Sequence, residues 1–340
     1  MRSELPSRGP GTRGLIRRGK AVIGIAVAIF VPVFGCDGSG STGSGTTTGT
    51  GASGGSGSGG ELFGGTAGAG ASVSVPPDAE FVQADQGSYA LGEAIGGEGV
   101  IDTGVAESAD GCDILVGVVR DFRGADEPDG HPDFQSYLGD SETPGLVESS
   151  LGADKKPVYA SQCEADVTGN CPFGQQTTSE ERFNEWYRFK DGTNKPYLIY
   201  FQFAPNGDIS TFESTRFFPM DGKGWGNSGE DEDNVSRNFH FTTELHTKFK
   251  YVGGETFRFS GDDDLWVFIN GQLAIDLGGL HPMVTSEINL DQSADALGIE
   301  KGQIYPLELF HAERHTSASN FRVDTNLAFV DCGEVLPDPK

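Results

Sequence analysis

Three adjacent carboxylates, Asp262, Asp263 and Asp264, are the residues of this chain best suited to chemistry. They precede the apolar run Leu265–Ile269, so the pattern places acids at the start of a buried strand. Like charges a few ångströms apart raise one another's pKa, and such a group is tolerated if the acids point into solvent or share a hard cation. Ca²⁺ suits the second case because it takes about six to eight oxygen ligands. Composition alone leaves both a solvated acidic turn and a calcium site open.

Patterns that would support catalysis are weak. The segment His311–His315 contains two histidines and a glutamate, but it matches no zinc-protease motif and is expected beside a strand end rather than on a helix. Acids are so numerous that no pair stands out as the two carboxylates of a glycoside hydrolase. The sequence also lacks a phosphate-binding glycine loop. These residues therefore favour binding over catalysis.

The chain is strongly acidic, with 24 lysines and arginines against 50 aspartates and glutamates and a net charge of −26. A surface of this kind repels nucleic acid and anionic lipid head groups. The composition therefore excludes nucleic acid as a partner, while it offers many carboxylates to divalent cations.

The N-terminus predicts export and a lipid anchor. Basic residues precede an apolar run over residues 21–34, which is shorter than the roughly 20 residues that cross a bilayer as a helix. The tetrad Val33-Phe34-Gly35-Cys36 resembles a lipobox, although Phe34 replaces the usual small residue. We therefore predict a signal peptide over residues 1–35 and a lipid on Cys36 that anchors the protein in the cell envelope. Ordinary secretion after cleavage nearby is the alternative.

Two further regions follow the predicted anchor. Residues 36–78 are dominated by glycine, serine, threonine and alanine, which bury too little apolar surface to offset their ordering entropy. They are predicted to form a disordered stalk that holds the next region away from the membrane. The composition becomes globular further along the chain, and we predict one domain over residues 105–335.

Four cysteines follow Cys36, and an even number in an exported chain indicates two disulfides. Three pairings are possible. We favour Cys163–Cys171, which closes a small polar loop, and Cys112–Cys332, which joins the two ends of the domain.

Short strands separated by Gly, Pro, Asn and Asp favour an all-β, antiparallel sandwich or barrel, with a helix expected only over Ser179–Phe189. The run Leu265–Ile269 is apolar on both faces, as in a central strand, and Asn270-Gly271 predicts a type I′ hairpin turn into Gln272–Leu277. The remaining strands are predicted at Ile114–Arg120, Tyr197–Phe203, Glu244–Tyr251, Glu255–Phe259, Ile304–Phe310 and Phe321–Phe329.

The run Gly261–Gly271, together with Asp276–His281, resembles the signature of fibro-slime domain proteins, which belong to the PA14 superfamily. The resemblance covers roughly residues 114–329. It implies a β-sandwich-like barrel of an exported, often anchored protein, and many superfamily members bind carbohydrate. The further matches are Arg120–Phe122, His131–Phe134, Phe217–Gly222, Asn238–Thr242, Ala312–His315 and Ser319–Arg322.

The resemblance also implies a site. In lectin-like members of the superfamily, an Asp-Asp pair joined by a cis peptide bond holds Ca²⁺, and the cation bridges sugar hydroxyls. The resemblance places that pair on Asp262 and Asp263 and assigns further oxygen ligands to Glu313 and Asn320. Contacts with the bound ligand are predicted for Asp264, His281, Arg314 and His315, although many superfamily members have Gly at the position of Asp264.

We therefore expect a cell-surface or extracellular-matrix module that binds a polysaccharide or glycoprotein with the help of Ca²⁺. Two alternatives stay open. One is a structural matrix protein whose cation only stabilises the fold, and the other is a glycoside hydrolase or an accessory domain of one.

Overall fold

The computed structural model of the chain describes residues 79–95, 112, 114–160 and 175–336. These residues form sixteen strands and two short helices. The strands are β1 (Val82–Gln83), β2 (Ser88–Ala94), β3 (Ile114–Phe122), β4 (Asn194–Gln202), β5 (Ala204–Asn206), β6 (Ile209–Ser214), β7 (Gly229–Glu230), β8 (Ser236–Arg237), β9 (Phe241–Lys250), β10 (Thr256–Gly261), β11 (Asp264–Ile269), β12 (Gln272–Leu277), β13 (Val284–Asn289), β14 (Ile304–Glu313), β15 (Phe321–Thr325) and β16 (Ala328–Asp331), and the helices are α1 (Glu180–Asn184) and α2 (Leu290–Leu297).

The described strands form two principal sheets, in which all pairings are antiparallel. The nine-stranded sheet has the order β1-β2-β4-β3-β9-β14-β11-β12, with β16 also paired to β9, and the five-stranded sheet has the order β13-β10-β15-β6-β5. Apolar side chains from both sheets share one core, in which, for example, Phe201 of β4 stacks on Phe321 of β15. The predicted all-β, antiparallel sandwich is confirmed.

Strand β11 is buried on both of its faces, as its sequence predicts. Leu265, Val267 and Ile269 point into the core between the sheets, whereas Trp266 and Phe268 point into a second core on the opposite face of the nine-stranded sheet. That second core is closed by the segment between β3 and β4, which contributes aromatic residues that pack over β11. The alternation of side chains along a strand explains the division into odd and even residues.

The hairpin after β11 has the predicted geometry. Asn270 and Gly271 adopt φ values of 53° and 72°, and the chain returns as β12, paired antiparallel to β11. Two successive positive-φ residues form the type I′ turn that suits the right-handed twist of the flanking strands. The side-chain amide of Asn270 also donates a hydrogen bond to Leu297 O at 2.9 Å, and this bond ties the turn to the end of α2.

The structure corrects three features of the predicted organisation. The predicted start of the domain at residue 105 is wrong, because β1 and β2 precede it and β2 pairs with β4 inside the nine-stranded sheet. The helix expected over Ser179–Phe189 is shorter, since α1 covers only five residues behind the N-cap Ser179. Helix α2 was not predicted, and its eight residues are too few to show a clear helical period in the sequence.

A disulfide joins Cys112 to Cys332, so this predicted pairing is confirmed. It links the residues before β3 and after β16, where the backbone N–H of Val116 also donates to Cys332 O at 2.8 Å. The predicted pair Cys163–Cys171, the signal peptide, Cys36 and the stalk lie outside the described residues. Neither helix in the described part of the chain has the length and apolar character needed to cross a bilayer.

Candidate functional site

The paired acids Asp262 and Asp263 lie where the chain passes from one sheet to the other. They connect β10 of the five-stranded sheet to β11 of the nine-stranded sheet, and the peptide bond between them is cis, as the resemblance implies. The connection from β14 to β15 makes the opposite crossing beside them, because Asp264 pairs with Ala312 and Gly261 pairs with Phe321. Two neighbouring crossings therefore bring residues 262–263 and 313–320 together at one end of the sandwich.

Asp262 is held by Asn320. The backbone N–H of Asn320 donates to Oδ1 of Asp262 at 2.6 Å, and its side-chain amide donates to Oδ2 at 2.7 Å. Burial raises the pKa of Asp262, and these hydrogen bonds oppose that rise. His311 of β14 holds the backbone of the same residue, because its ring donates a hydrogen bond from Nε2 to Asp262 O at 2.8 Å. Burial lowers the pKa of His311 to about 4, so the ring is neutral.

Asp263 is fixed by backbone donors on the opposite crossing. Its Oδ2 accepts hydrogen bonds from the N–H groups of Arg314 and His315, at 3.0 and 3.1 Å. Burial raises the pKa of Asp263 to about 8; the positive charge of Arg314 opposes this rise, and the charge of Asp264 adds to it. Burial therefore favours the protonated form of this carboxyl group, and a cation bound beside it would favour the charged form.

Glu313 is a buried carboxyl group without hydrogen-bond donors. Its side chain is fully buried, and among the described residues neither of its oxygens has a hydrogen-bond partner. The hydroxyl of Ser319 and the backbone N–H of His315 lie close enough to lower its pKa, but they donate instead to Phe217 O at 2.7 Å and to Oδ2 of Asp263 at 3.1 Å. Burial raises the pKa of Glu313 well above its usual value, and the charges of Asp263 and Asp262 raise it further. The three carboxyl groups therefore act on one another electrostatically.

The donors at this end of the sandwich are of the type that binds a hard divalent cation. Asp262, Asp263, Glu313 and Asn320 offer carboxylate and amide oxygens, which Ca²⁺ prefers, and the two buried, unpartnered oxygens of Glu313 fit such an ion. In the described arrangement, however, no group of three or more His, Cys, Asp or Glu side chains converges on one point. The chemistry of the donors fits Ca²⁺, and their arrangement around an ion is part of the proposal below.

Asp264 and Arg314, which were predicted to contact a ligand, are both completely buried and do not line a cleft in the described structure. They form an ion pair at 2.6 Å beneath the acid pair. The guanidinium of Arg314 also donates to Asp133 O and Gln176 O, at 3.1 and 2.9 Å, and lies 4.6 Å from the ring centre of Trp186. Their role is to tie β11 and β14 to the segments that cover the nine-stranded sheet.

The two predicted histidines line a cleft beside the acid pair. This cleft, called the acid cleft below, has a volume of about 190 Å³ and is bordered by Asp262, Asp263, His281 and His315. The ring nitrogens of His281 lie 3.1 Å from Leu277 O and 3.0 Å from Pro282 O, so this side chain forms a fixed part of the wall. The residues that complete the lining are Leu138, Gly139, Leu280, Pro282, Thr316, Ser317 and Ala318.

Sequence reasoning missed the residues that hold the rim of the acid cleft. Gln135 has a φ of 67° and donates from its side chain to the hydroxyl of Thr316 at 3.2 Å. Leu138 is 76 % exposed at the rim, and the side-chain amide of Gln176 donates to its carbonyl at 3.4 Å. The match at His131–Phe134 was the available signal, because the rim segment begins directly after it.

Comparisons with known proteins give one family match and several relatives. Residues 190–339 match the model of the PA14 domain. Two relatives from Dictyostelium discoideum are similar: protein psiQ is 34% identical over 222 residues, which are 61% of this chain and 21% of psiQ, and protein psiD is 39% identical over 191 residues, which are 55% of this chain and 36% of psiD. The chain thus spans about a fifth to two fifths of the length of these relatives.

Solved structures show weaker likenesses. A chain described as the PA14 sugar-binding domain from an RTX adhesin is 14% identical, with 40% of this chain and 81% of that chain covered and a TM-score of 0.22. The A domain of epithelial adhesin 6 from Candida glabrata, solved in complex with Galb1-3GlcNAc, is 16% identical, with 31% and 55% covered and a TM-score of 0.20. TM-scores this low support no argument about function. The acid pair lies within residues 190–339, the part of the chain that matches the PA14 domain.

Proposed function

We propose that this protein is a cell-surface or extracellular module that binds saccharides through a Ca²⁺ ion held by Asp262, Asp263, Glu313 and Asn320. The observation that carries the proposal is the fully buried Glu313 carboxyl, which has no donor among the described residues and lies beside two further acids. Burial without donors disfavours the charged form of this carboxyl group, and buried carboxylates are usually paired or bound to metals. A divalent cation at this position would satisfy all three carboxyl groups at once.

The rest of the site supports recognition. Bound Ca²⁺ supplies coordination positions that hydroxyl pairs of a sugar can fill. The chain itself fixes the acids: Asn320 holds Asp262, and the N–H groups of Arg314 and His315 hold Asp263. The buried pair between Asp264 and Arg314 keeps these donors in place from beneath.

The acid cleft has the mixed character that a sugar ring requires. Its lining combines the acid pair with the apolar groups of Leu138, Leu280 and Pro282. Sugars likewise carry hydroxyls together with apolar C–H surface, and ligand sites commonly combine apolar walls with a few placed polar groups. The match to the PA14 domain and the resemblance to lectin-like members of that superfamily point to the same ligand class.

The proposed setting is the outside of the cell. The basic N-terminus, the apolar run and Cys36 indicate export and lipid anchoring, and residues 36–78 would serve as the stalk. A fibro-slime type of matrix or adhesion protein would use this arrangement to present its binding site away from the membrane. The partner in this proposal is a glycan or glycoprotein, and the membrane is contacted only through the lipid.

The test measures thermal stability and saccharide binding of the full chain in detergent, with Ca²⁺ or with EDTA. Ca²⁺ that binds only the folded protein should raise its stability by about 2.7 kcal/mol at a hundredfold excess over Kd. Glu313→Gln should remove this gain and the Ca²⁺-dependent signal on a glycan array. Glu308→Gln is the matched control, because Glu308 is a second buried glutamate with an unpartnered oxygen, and it does not line the acid cleft.

Each outcome decides between the functions considered. Loss of both signals in Glu313→Gln, with both retained in Glu308→Gln, supports the proposal. Stabilisation by Ca²⁺ without any saccharide signal would favour a structural matrix protein, and turnover of a chromogenic glycoside would favour a hydrolase. The absence of Ca²⁺ binding to the wild-type chain by isothermal titration would refute the cation site.

A further inference from the structure

Shared lining residues link the acid cleft to two further clefts. A middle cleft of about 110 Å³ shares Ser317 and Ala318 with the acid cleft. A larger cleft of about 610 Å³ lies beside the hairpin of β1 and β2, and it shares Arg216 and Phe218 with the middle cleft. Shared walls place the three clefts in a row across this end of the sandwich. The largest of them, called the hairpin cleft below, lies furthest from the acid pair in this row.

The walls between the clefts are low. Ser317 is exposed and Ala318 half-buried, and both are small residues in the connection from β14 to β15. Arg216, at the second boundary, is also exposed, whereas Phe218 is buried beneath it. A flexible chain of rings can therefore pass over small side chains at the first boundary and over the exposed side chain of Arg216 at the second.

The hairpin cleft offers fixed donors and acceptors in near balance. The guanidinium of Arg237 bonds Asp221 at 2.7 Å and Asp231 at 3.0 Å, and Arg216 forms an ion pair with Asp233 in the middle cleft. Lys223 is exposed at the edge of the hairpin cleft. Because carboxylates accompany the cations, these walls suit uncharged hydroxyl groups better than a strongly anionic ligand.

The volumes indicate a ligand longer than the acid cleft can hold. Sites for drug-sized molecules usually measure roughly 300–1,000 Å³, and the acid cleft, at about 190 Å³, lies below that range. The hairpin cleft, at about 610 Å³, lies well within it. A single sugar ring fits the scale of the first cleft, whereas the whole row fits an oligosaccharide.

We propose that the three clefts form one track for a neutral polysaccharide chain, with one ring at the acid cleft and following rings extending over Ser317 and Arg216 into the hairpin cleft. This inference rests on the proposed saccharide binding at the acid cleft and adds the class of ligand. The protein then recognises stretches of polymer and binds longer chains more tightly than single sugars.

The test compares ligands of different length on the full chain in detergent with Ca²⁺. The probes are dextran, yeast mannan, laminarin and galactan, each with its monosaccharide and with oligosaccharides obtained by partial hydrolysis. For a polysaccharide that binds, the longest oligosaccharide should bind at least about tenfold more tightly than the monosaccharide, which corresponds to about 1.4 kcal/mol. The double variant Arg216→Ala/Lys223→Ala should lose most of this ratio and keep its affinity for the monosaccharide.

A matched control tests whether the loss is specific. Lys301 and Asp291 form an exposed ion pair, as Arg216 and Asp233 do. Lys301 does not line any of the three clefts. Lys301→Ala should therefore leave the length dependence unchanged. A second variant, Ser317→Trp, should block the first boundary and weaken oligosaccharide binding more than monosaccharide binding.

The outcomes separate the two proposals. Ca²⁺-dependent binding with equal affinity for monosaccharide and oligosaccharide would overturn the track and leave the acid cleft as a site for single sugars. A length dependence that survives in Arg216→Ala/Lys223→Ala and in Ser317→Trp would also overturn it. If no probe binds in the presence of Ca²⁺, the proposed saccharide function fails, and the track fails with it.

Discussion

Glu308 provides a direct test of the electrostatics of the folded domain at a point away from the acid cleft. It lies on β14, is only 3 % exposed, and its Oε2 has no hydrogen-bond partner among the described residues. Burial raises the pKa of Glu308 from its usual 4.5 to about 7; the positive charge of Lys155 opposes this rise, and the charge of Glu334 adds to it. We predict that Glu308→Gln changes the pH dependence of folding stability in a defined direction.

The direction follows from proton binding. The folded state holds the proton of Glu308 up to about pH 7, whereas the unfolded state releases it near pH 4.5. The contribution of Glu308 to the free energy of unfolding is therefore fully present below pH 4.5, and it is lost as the pH rises through about 7. The two pKa values differ by roughly two to three, and each unit corresponds to about 1.4 kcal/mol, so the loss is on the order of 3 kcal/mol.

The assay is urea unfolding of the wild-type chain and of Glu308→Gln at a series of pH values, in EDTA so that Ca²⁺ does not contribute. The free energy of unfolding of Glu308→Gln, relative to that of the wild type, should rise by about 3 kcal/mol between about pH 5 and pH 8. Glu300→Gln, at an exposed position, is the control and should show no such change. A constant difference between wild type and Glu308→Gln across this range would show that Glu308 titrates normally, and it would refute the reasoning from burial.

Three further predictions address other parts of the chain. Arg314→Met should lower the free energy of unfolding by about 3–5 kcal/mol because it leaves Asp264 buried without its cation; urea unfolding measures this, and an effect below about 1 kcal/mol would contradict the structural role. Replacing Cys112 and Cys332 together by Ser should lower the melting temperature, with a cost of about 2–5 kcal/mol; unchanged melting would contradict it. Cys36→Ser should move the protein from the membrane to the soluble fraction, because acyl chains contribute about 0.8 kcal/mol per buried CH₂; retention in the membrane after cell fractionation would contradict lipid anchoring.

The sequence by itself determined the features that depend on short-range pattern. Strand β11 and its turn follow from an apolar run that ends in Asn270-Gly271, because burial on both faces and two positive-φ residues each leave a local signature. The place of the acid pair at the start of β11 is equally local. The pairing of Cys112 with Cys332 followed from the expectation that the ends of the domain meet.

Only the tertiary structure decided which of the polar residues near the acid pair are buried. Asp264 and Arg314 resemble ligand contacts in the sequence, but they face inward because segments 138 and 181 residues away from Arg314 in the chain pack over them. The lack of hydrogen-bond partners for the Glu313 carboxyl also depends on tertiary structure, and so does the row of clefts. Both arise where the chain crosses twice between the sheets. Local patterns give the period of a strand, whereas the environment of a charge depends on which distant segments exclude water from it, and no local pattern records that.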